Sequence, residues 1–231
     1  HDVLGEGATA VTAVSPSLAA SEKEEAGRLA RLIGARQLLV PTEEIDDPRY
    51  ARNDSARCYY CKTELFRVMR SVLAAARENR EKTIVYGAIT DDLGDDRPGM
   101  RAAEEAGARA PLIEAGLTKV MIRALSKGLG LPTWDKPAMA CLASRIPRAM
   151  PVTRPVLALV ERAEAAVRSL GYRQVRVRLH GEGARLELDG EGLRQSAPPF
   201  ERQRLISAVL SAGFDQVTID PLGYRPGGRA S

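Results

Sequence analysis

Residues 8–14 read ATAVTAV, and SPSL at Ser15–Leu18 and SEKEE at 21–25 follow them. The first run is short, apolar and partly β-branched, the pattern of a buried parallel strand. Proline and two serines break it. Ser21 is expected to cap a helix whose first turn is acidic, and Gly34 to end that helix after Ile33. Gln37–Val40 then reads as a second strand. Strand, break, helix and strand within about 35 residues is a βαβ unit, which predicts a parallel α/β sheet for the first part of the chain.

Further along, Glu43–Arg57 is polar and interrupted by Pro48, and reads as a loop. A helix carries Cys61 to about Asn79. Thr83–Tyr86 is expected as a third strand, followed by Gly87. DDLGDDRPG at Asp91–Gly99 reads as an acidic turn, Met100–Gly107 as a helix and Leu112–Glu114 as a brief element. Thr118 caps a helix to about Gly128. TWDKPAMACLASRIP (Thr133–Pro147) is irregular because of its prolines. After Pro155 the pattern changes. A helix over Val156–Leu170 leads into alternating QVRVRL at Gln174–Leu179, a tight Gly181–Gly183 turn and a return over Ala184–Leu188. That is a hairpin. A helix over Phe200–Ala212 and a strand over Gln216–Ile219 follow. The expected organisation is an α/β domain over 1–150 and a smaller α+β domain over 151–231.

With 231 residues and 44% apolar side chains, the chain can bury a substantial aliphatic core. Net charge is +4 and the pI about 9.1, a mild bias toward anionic partners. No apolar run could span a membrane and no export signal opens the chain, so a cytoplasmic location is expected. There are two histidines, His1 and His180. A histidine-based triad and a Cys₂His₂ zinc site are therefore excluded in practice.

The three cysteines are Cys58, Cys61 and Cys141. Cys58 and Cys61 lie one helical turn apart, a spacing that lets two thiolates share one metal or cluster; a redox pair or two unrelated cysteines are the alternatives. Three thiols without histidine are too few for structural zinc. They suit a 4Fe–4S cluster with one open iron. Arg176 and Arg178 fall on one face of a strand, opposite Val175, Val177 and Leu179. Such a pair is either a solvated face or a carboxylate- and phosphate-binding pair. Arg145 could serve the same ligand. Parallel sheets bind ligands at the carboxyl ends of their strands. Ser15, the Gly87–Arg97 turn and Glu114 belong to that edge. Asp91, Asp92, Asp95 and Asp96 could hold Mg²⁺ beside a nucleotide, or could be turn residues only.

SPSL (Ser15–Leu18), RCYYCK (Arg57–Lys62), DDLGDDRPG, EAGLTK (Glu114–Lys119), LGLPTWDKPAMACLASRIP (Leu129–Pro147) and VRVRLH (Val175–His180) together resemble the LarE-type ATP-dependent sulfur transferases of the PP-loop pyrophosphatase superfamily. The resemblance runs along nearly the whole chain. It implies a PP-loop domain of the adenine nucleotide alpha hydrolase-like kind, followed by the smaller domain. It also implies adenylation, with ATP and Mg²⁺, of a carboxylate of pyridinium-3,5-biscarboxylic acid mononucleotide. Sulfur transfer then gives a thiocarboxylate on the way to the nickel-pincer cofactor of lactate racemase. Cys58, Cys61 and Cys141 match the subclass whose three cysteines carry a 4Fe–4S cluster supplied by a sulfide donor. Arg176 and Arg178 fall on the family's substrate-binding arginines, and Ser144, Arg145 and Glu164 on positions lining its active site. Ser15, Gly87, Asp95 and Arg97 are the expected nucleotide contacts. A homo-oligomer is implied.

Two departures from the family pattern stand out. No glycine-rich SGGxDS loop occurs, so the chain is expected to be N-terminally truncated and to adenylate slowly. Arg148-Ala149 stands where the family has Tyr-Gly. A PP-loop tRNA thiolase with a 4Fe–4S cluster is the second reading, with scarce aromatics for base stacking counting against nucleic acid. A non-catalytic metal- or nucleotide-binding module is the third.

Overall fold

A computed structural model describes residues 1–75, 82–94, 97–137, 139–181 and 183–225. The chain forms two compact units. The first comprises His1–Ser15 and Ala20–Lys136, the second Pro16–Ala19 and Pro137–Ser231. The transition expected at 150 thus falls at Lys136 and Pro137, and the cysteine-bearing CLASRIP stretch folds with the second unit.

In the first unit, β1 (Thr9–Val14) pairs in parallel with β2 (Arg36–Pro41), Thr9 opposite Arg36 and Val14 opposite Pro41. The crossover is α1 (Ala20–Ile33). It starts one residue before Ser21, so Ser21 lies inside the helix, and it ends at Gly34, whose φ of 78° only glycine adopts readily. β1 is not the buried strand expected: Thr9 and Ala10 are exposed and Val11–Val14 half-buried. Thr83–Tyr86 forms no strand. Only Val85 bridges to Arg109, with Tyr86 donating to the Arg109 carbonyl at 3.0 Å. The pairing ends there because Pro111 has no N–H and opens a helical turn.

The expected loop over 43–57 is partly helical. A 3₁₀ turn (Glu44–Asp46) is followed by α2 (Pro48–Ala51), where Asp47 accepts from the Arg49 N–H at 2.8 Å. Pro48 starts this turn instead of breaking it, because the first helical N–H has no intrahelical partner to lose. α3 runs over Arg57–Ala75, and its expected end at Asn79 lies outside the described residues. α4 (Pro98–Glu105), α5 (Pro111–Glu114) and α6 (Lys119–Gly128) complete the unit. Thr118 caps α6 as expected, accepting from Met121 N–H at 3.3 Å. α3 and α4 approach closely at Gly99, where a Cβ would stand 3.0 Å from the Lys62 side chain.

In the second unit, α7 (Arg154–Ser169) packs its Leu157, Val160, Ala163 and Val167 face on a three-stranded sheet. The sheet order is β3 (Val175–His180), β4 (Gly183–Leu188), β5 (Val217–Ile219). β3 and β4 form the expected antiparallel hairpin, and β5 joins β4 in parallel. After α8 (Gly190–Gln195), α9 spans Pro199–Ser211 and adds Leu205 and Val209 to the core. The short α8 contains two glycines, which disfavour a helix. Asp189 compensates by accepting from the Gly192 N–H at 2.8 Å. No helix among the described residues is long and apolar enough to cross a membrane.

Candidate functional site

The second unit gathers the densest set of buried charges. Cys141 stands at the N-terminus of a 3₁₀ turn over Leu142–Arg145, with its side chain exposed. Leu142, Ala143 and Ile146 are buried around it, and Leu142 N–H donates to the Ser17 carbonyl at 2.9 Å. Hydrophobic anchoring therefore holds a segment without regular structure in place, with its thiol outward.

Arg145 fastens this segment from below. Its Nε and Nη2 donate to Glu164 Oε1 and Oε2 at 2.7 and 3.1 Å. Its Nη1 donates to the carbonyls of Ala140 (2.7 Å) and Cys141 (3.1 Å) and to Ser144 Oγ (3.0 Å). The guanidinium is 1% exposed and its donors are spent within the protein, so Arg145 positions the Cys141 loop. Glu164, fully buried on α7, also accepts from Arg168 Nη2 at 2.7 Å and from the Val177 N–H of β3 at 3.1 Å. It joins helix, strand and loop through one carboxylate, and both its oxygens are doubly occupied.

Arg176 and Arg178 are not on a solvated face. They are 6% and 2% exposed, although Val175 and Val177 opposite them are equally buried. The strand is covered on both sides, which alternation alone does not reveal. Arg178 donates through Nε to Glu187 Oε1 at 2.6 Å and through Nη1 to the Ser144 carbonyl at 3.1 Å. Arg176 stacks on the Tyr224 ring at 4.6 Å and donates to its hydroxyl at 3.2 Å. Burial, then the nearby Arg145 and Arg178 charges, push the Arg176 guanidinium below its usual range. Hence Ser144, Arg145, Glu164, Arg176 and Arg178 form one connected cluster beside the Cys141 loop. His180 lies at the exposed end of the strand.

Glu187 and Tyr224 belong to this cluster and were missed from the sequence. Glu187 was in principle legible: a tight turn at Gly181 sets a register that puts it directly across from Arg176. Tyr224 carried no such signal. It arrives beyond β5 through Gly223, whose φ of 64° turns the chain so that Tyr224 N–H donates to the Leu188 carbonyl at 2.7 Å.

The remaining candidates lie in the first unit. Cys58, exposed, and Cys61, half-buried, occupy the first turns of α3, the sequence separation expected for two donors to one centre. Cys141 belongs to the second unit. Among the described residues, no group of three or more His, Cys, Asp or Glu side chains is gathered to hold a metal ion. In donor type and spacing the Cys58–Cys61 pair fits two corners of an iron–sulfur cluster. Ser15 follows β1, and Gly87 follows the Val85 bridge with open space where a Cβ would be. Arg97 Nη1 pairs with Asp92 Oδ1 at 2.7 Å. Asp92 also accepts from Ile89 N–H at 3.0 Å, and Asp91 from Lys119 N–H at 2.9 Å. Asp92 thus closes its own turn, and Asp91 ties that turn to the start of α6. Asp95 and Asp96 lie outside the described residues. Glu114 pairs with Arg109 on the surface.

The parallel strand pair with its helices is compatible with a PP-loop-like α/β fold. An uncharacterised protein of Synechocystis is 43% identical to the chain over 227 residues, which are 98% of this chain and 84% of that protein. The pyridinium-3,5-bisthiocarboxylic acid mononucleotide synthase of Lactiplantibacillus plantarum is 35% identical over 227 residues, 98% of this chain and 80% of its own length. An uncharacterised protein of Methanocaldococcus jannaschii is 26% identical over 198 residues, 84% of this chain and 74% of that one. No protein-family model matches the chain. Identity of this degree over nearly the full chain is decisive: the chain belongs to the LarE-type family, that of the Lactiplantibacillus synthase.

Proposed function

We propose that the chain is a sulfur transferase acting on pyridinium-3,5-biscarboxylic acid mononucleotide, in the biosynthesis of the nickel-pincer cofactor. The observation that carries this reading is the 35% identity, over 98% of the chain, to a synthase named for the bisthiocarboxylic product. The buried cationic face of β3 supports it, because such a substrate carries a phosphate and two carboxylates.

A carboxylate resists nucleophilic attack. In the proposed first step a substrate carboxylate oxygen attacks the α-phosphorus of Mg²⁺-bound ATP and pyrophosphate leaves. In the second, a sulfur nucleophile attacks the activated acyl carbon, and AMP leaves with the original oxygen. Arg176 and Arg178 take the anionic groups of the substrate. Glu187 and the Ser144 carbonyl aim Arg178, while Arg145 and Glu164 hold the Cys141 loop. Ser15, Gly87, Asp95 and Arg97 are assigned to the nucleotide. Cys58, Cys61 and Cys141 are assigned as thiolate ligands of a 4Fe–4S cluster, whose open iron would supply a place for a small sulfur ligand.

The test is anaerobic incubation of reconstituted protein with the mononucleotide, ATP, Mg²⁺ and sulfide, followed by mass spectrometry of the nucleotide product. Replacement of oxygen by sulfur is expected, with loss in Arg176→Ala and Cys141→Ala. Bulk tRNA thiolated in its place, or no thiolated product from a fully reconstituted protein, overturns the reading.

A further inference from the structure

Among the described residues, five buried side-chain polar atoms make no hydrogen bond: Glu44 Oε2, Tyr172 OH, Arg176 Nε, Arg185 Nε and Glu187 Oε2. Buried polar groups are nearly always paired, so each orphan needs a cause. Three of the five lie on one face of one hairpin. Arg176 is the cross-strand partner of Glu187, and Arg178 of Arg185. Alternation along each strand puts all four on the same side. Arg176 is 6% and Glu187 4% exposed.

The chemistry of the orphans is mixed. Arg176 and Arg185 offer unused N–H donors, which an anion satisfies. Glu187 Oε2 offers an unused acceptor, which a fully deprotonated anion cannot satisfy and would be repelled by. The Glu187 carboxylate is held in place: its Oε1 accepts from Arg178 Nε at 2.6 Å and lies 3.6 Å from Arg185 Nη2. Arg185 is turned by Asp220, whose Oδ2 is 3.8 Å from its Nε and 3.6 Å from Arg225 Nη2. A phosphate monoester dianion without hydroxyls would fill the donors and leave Glu187 unpaired. A phosphate ester with a neighbouring hydroxyl fills both.

We propose that Glu187 is a specificity-determining residue of this face, accepting a hydrogen bond from a hydroxyl of a sugar phosphate whose phosphate the arginines bind. The inference rests on the reading of Arg176 and Arg178 as anion-binding, and adds the selection among anions. The face then rejects phosphate esters without hydroxyls, because binding them would bury an unpaired carboxylate oxygen beside a dianion.

Calorimetric titration of the full chain with ribose 5-phosphate, n-pentyl phosphate and orthophosphate tests it. The sugar ester is expected to bind roughly tenfold more tightly than the pentyl ester, the worth of one hydrogen bond to a charged group. Glu187→Gln keeps an acceptor for Arg178 and replaces the second oxygen with an N–H donor. It should abolish the preference between the esters. Equal binding of the two esters to the unaltered protein overturns the proposal, as does a Glu187→Gln variant that weakens all three probes by one factor. The ester comparison needs no variant, so it decides even if Glu187→Gln does not fold. Arg176→Ala separates the two levels: it should weaken every probe. If it weakens none, or if no probe binds the unaltered chain, the anion-site reading falls and this inference with it.

Discussion

Arg145 and Glu164 form a two-point ion pair at 2.7 and 3.1 Å, with side chains 1% and 0% exposed, 19 residues apart in the chain. Removing one partner of such a pair strands a charge in the core, at a cost of about 3–5 kcal/mol. Glu164→Gln and Arg145→Met should each lower chemical-denaturation stability by that order. The double variant Arg145→Met/Glu164→Leu should recover part of the loss, since neither charge of this pair then remains unpaired, while Arg168 and the Val177 N–H still lose their acceptor. Yet it should still lose activity, because the Ala140 and Cys141 carbonyls lose the guanidinium that holds them. A double-variant loss equal to the sum of the two single losses would show that the pair is not coupled.

Ala149 sits at φ 65°, in the left-handed region that costs a residue with a Cβ about 1–2 kcal/mol. The family resemblance has glycine here. The turn is therefore kept in its glycine geometry by its surroundings, at local expense. Ala149→Gly should raise stability by about 1 kcal/mol, since relief of the left-handed strain outweighs the extra chain entropy of glycine. A thermal melt reads the sign directly, and a lower midpoint would contradict it.

Lys136, the last residue of the first unit, pairs with α1 of the same unit, with Nζ 2.8 Å from Glu22 and a short contact to Glu25. Burial works against its charge, but hydrogen bonds to Glu22 and Glu25 more than offset that, so its pKa is raised. For a raised lysine the sign is set: the stabilisation is complete below the ordinary value of 10.5 and is lost as pH rises through the higher folded value. Lys136→Met should cost about 1 kcal/mol at neutral pH, and the gap from the unaltered protein should close only above about pH 10. A gap that closes below neutrality would assign the effect to another group.

The three thiols give a spectroscopic prediction. Protein purified and reconstituted without oxygen should bind iron and acid-labile sulfide, with Cys58→Ala, Cys61→Ala and Cys141→Ala each lowering both. Cys141→Ala is the informative variant, because Cys58 and Cys61 lie on one helix and Cys141 in the other compact unit. If its loss leaves iron and sulfide unchanged, the cluster assignment of Cys141 is wrong.

Much of the local structure was legible because it depends on near neighbours. Gly34 ends α1, Thr118 caps α6, and the tight turn at Gly181 closes the β3–β4 hairpin, each through geometry set within a few residues. Segments read wrongly also had local causes that a pattern hides. Pro48 opens a helical turn in a stretch that reads as a loop. Thr83–Tyr86 has strand composition, but a strand needs a partner, and among the described residues only Arg109 supplies one.

The amino-acid order alone determined that two arginines would lie on one side of β3, because a strand alternates. It could not say whether water or protein covers that side. Tertiary folding decided this by bringing Glu187 across the hairpin, Tyr224 from beyond β5 and Ser144 from the Cys141 loop against them. Periodicity assigns faces, while burial depends on which distant segments arrive there. That arrival turned a pair of ordinary charged residues into a buried, hydrogen-bonded cluster.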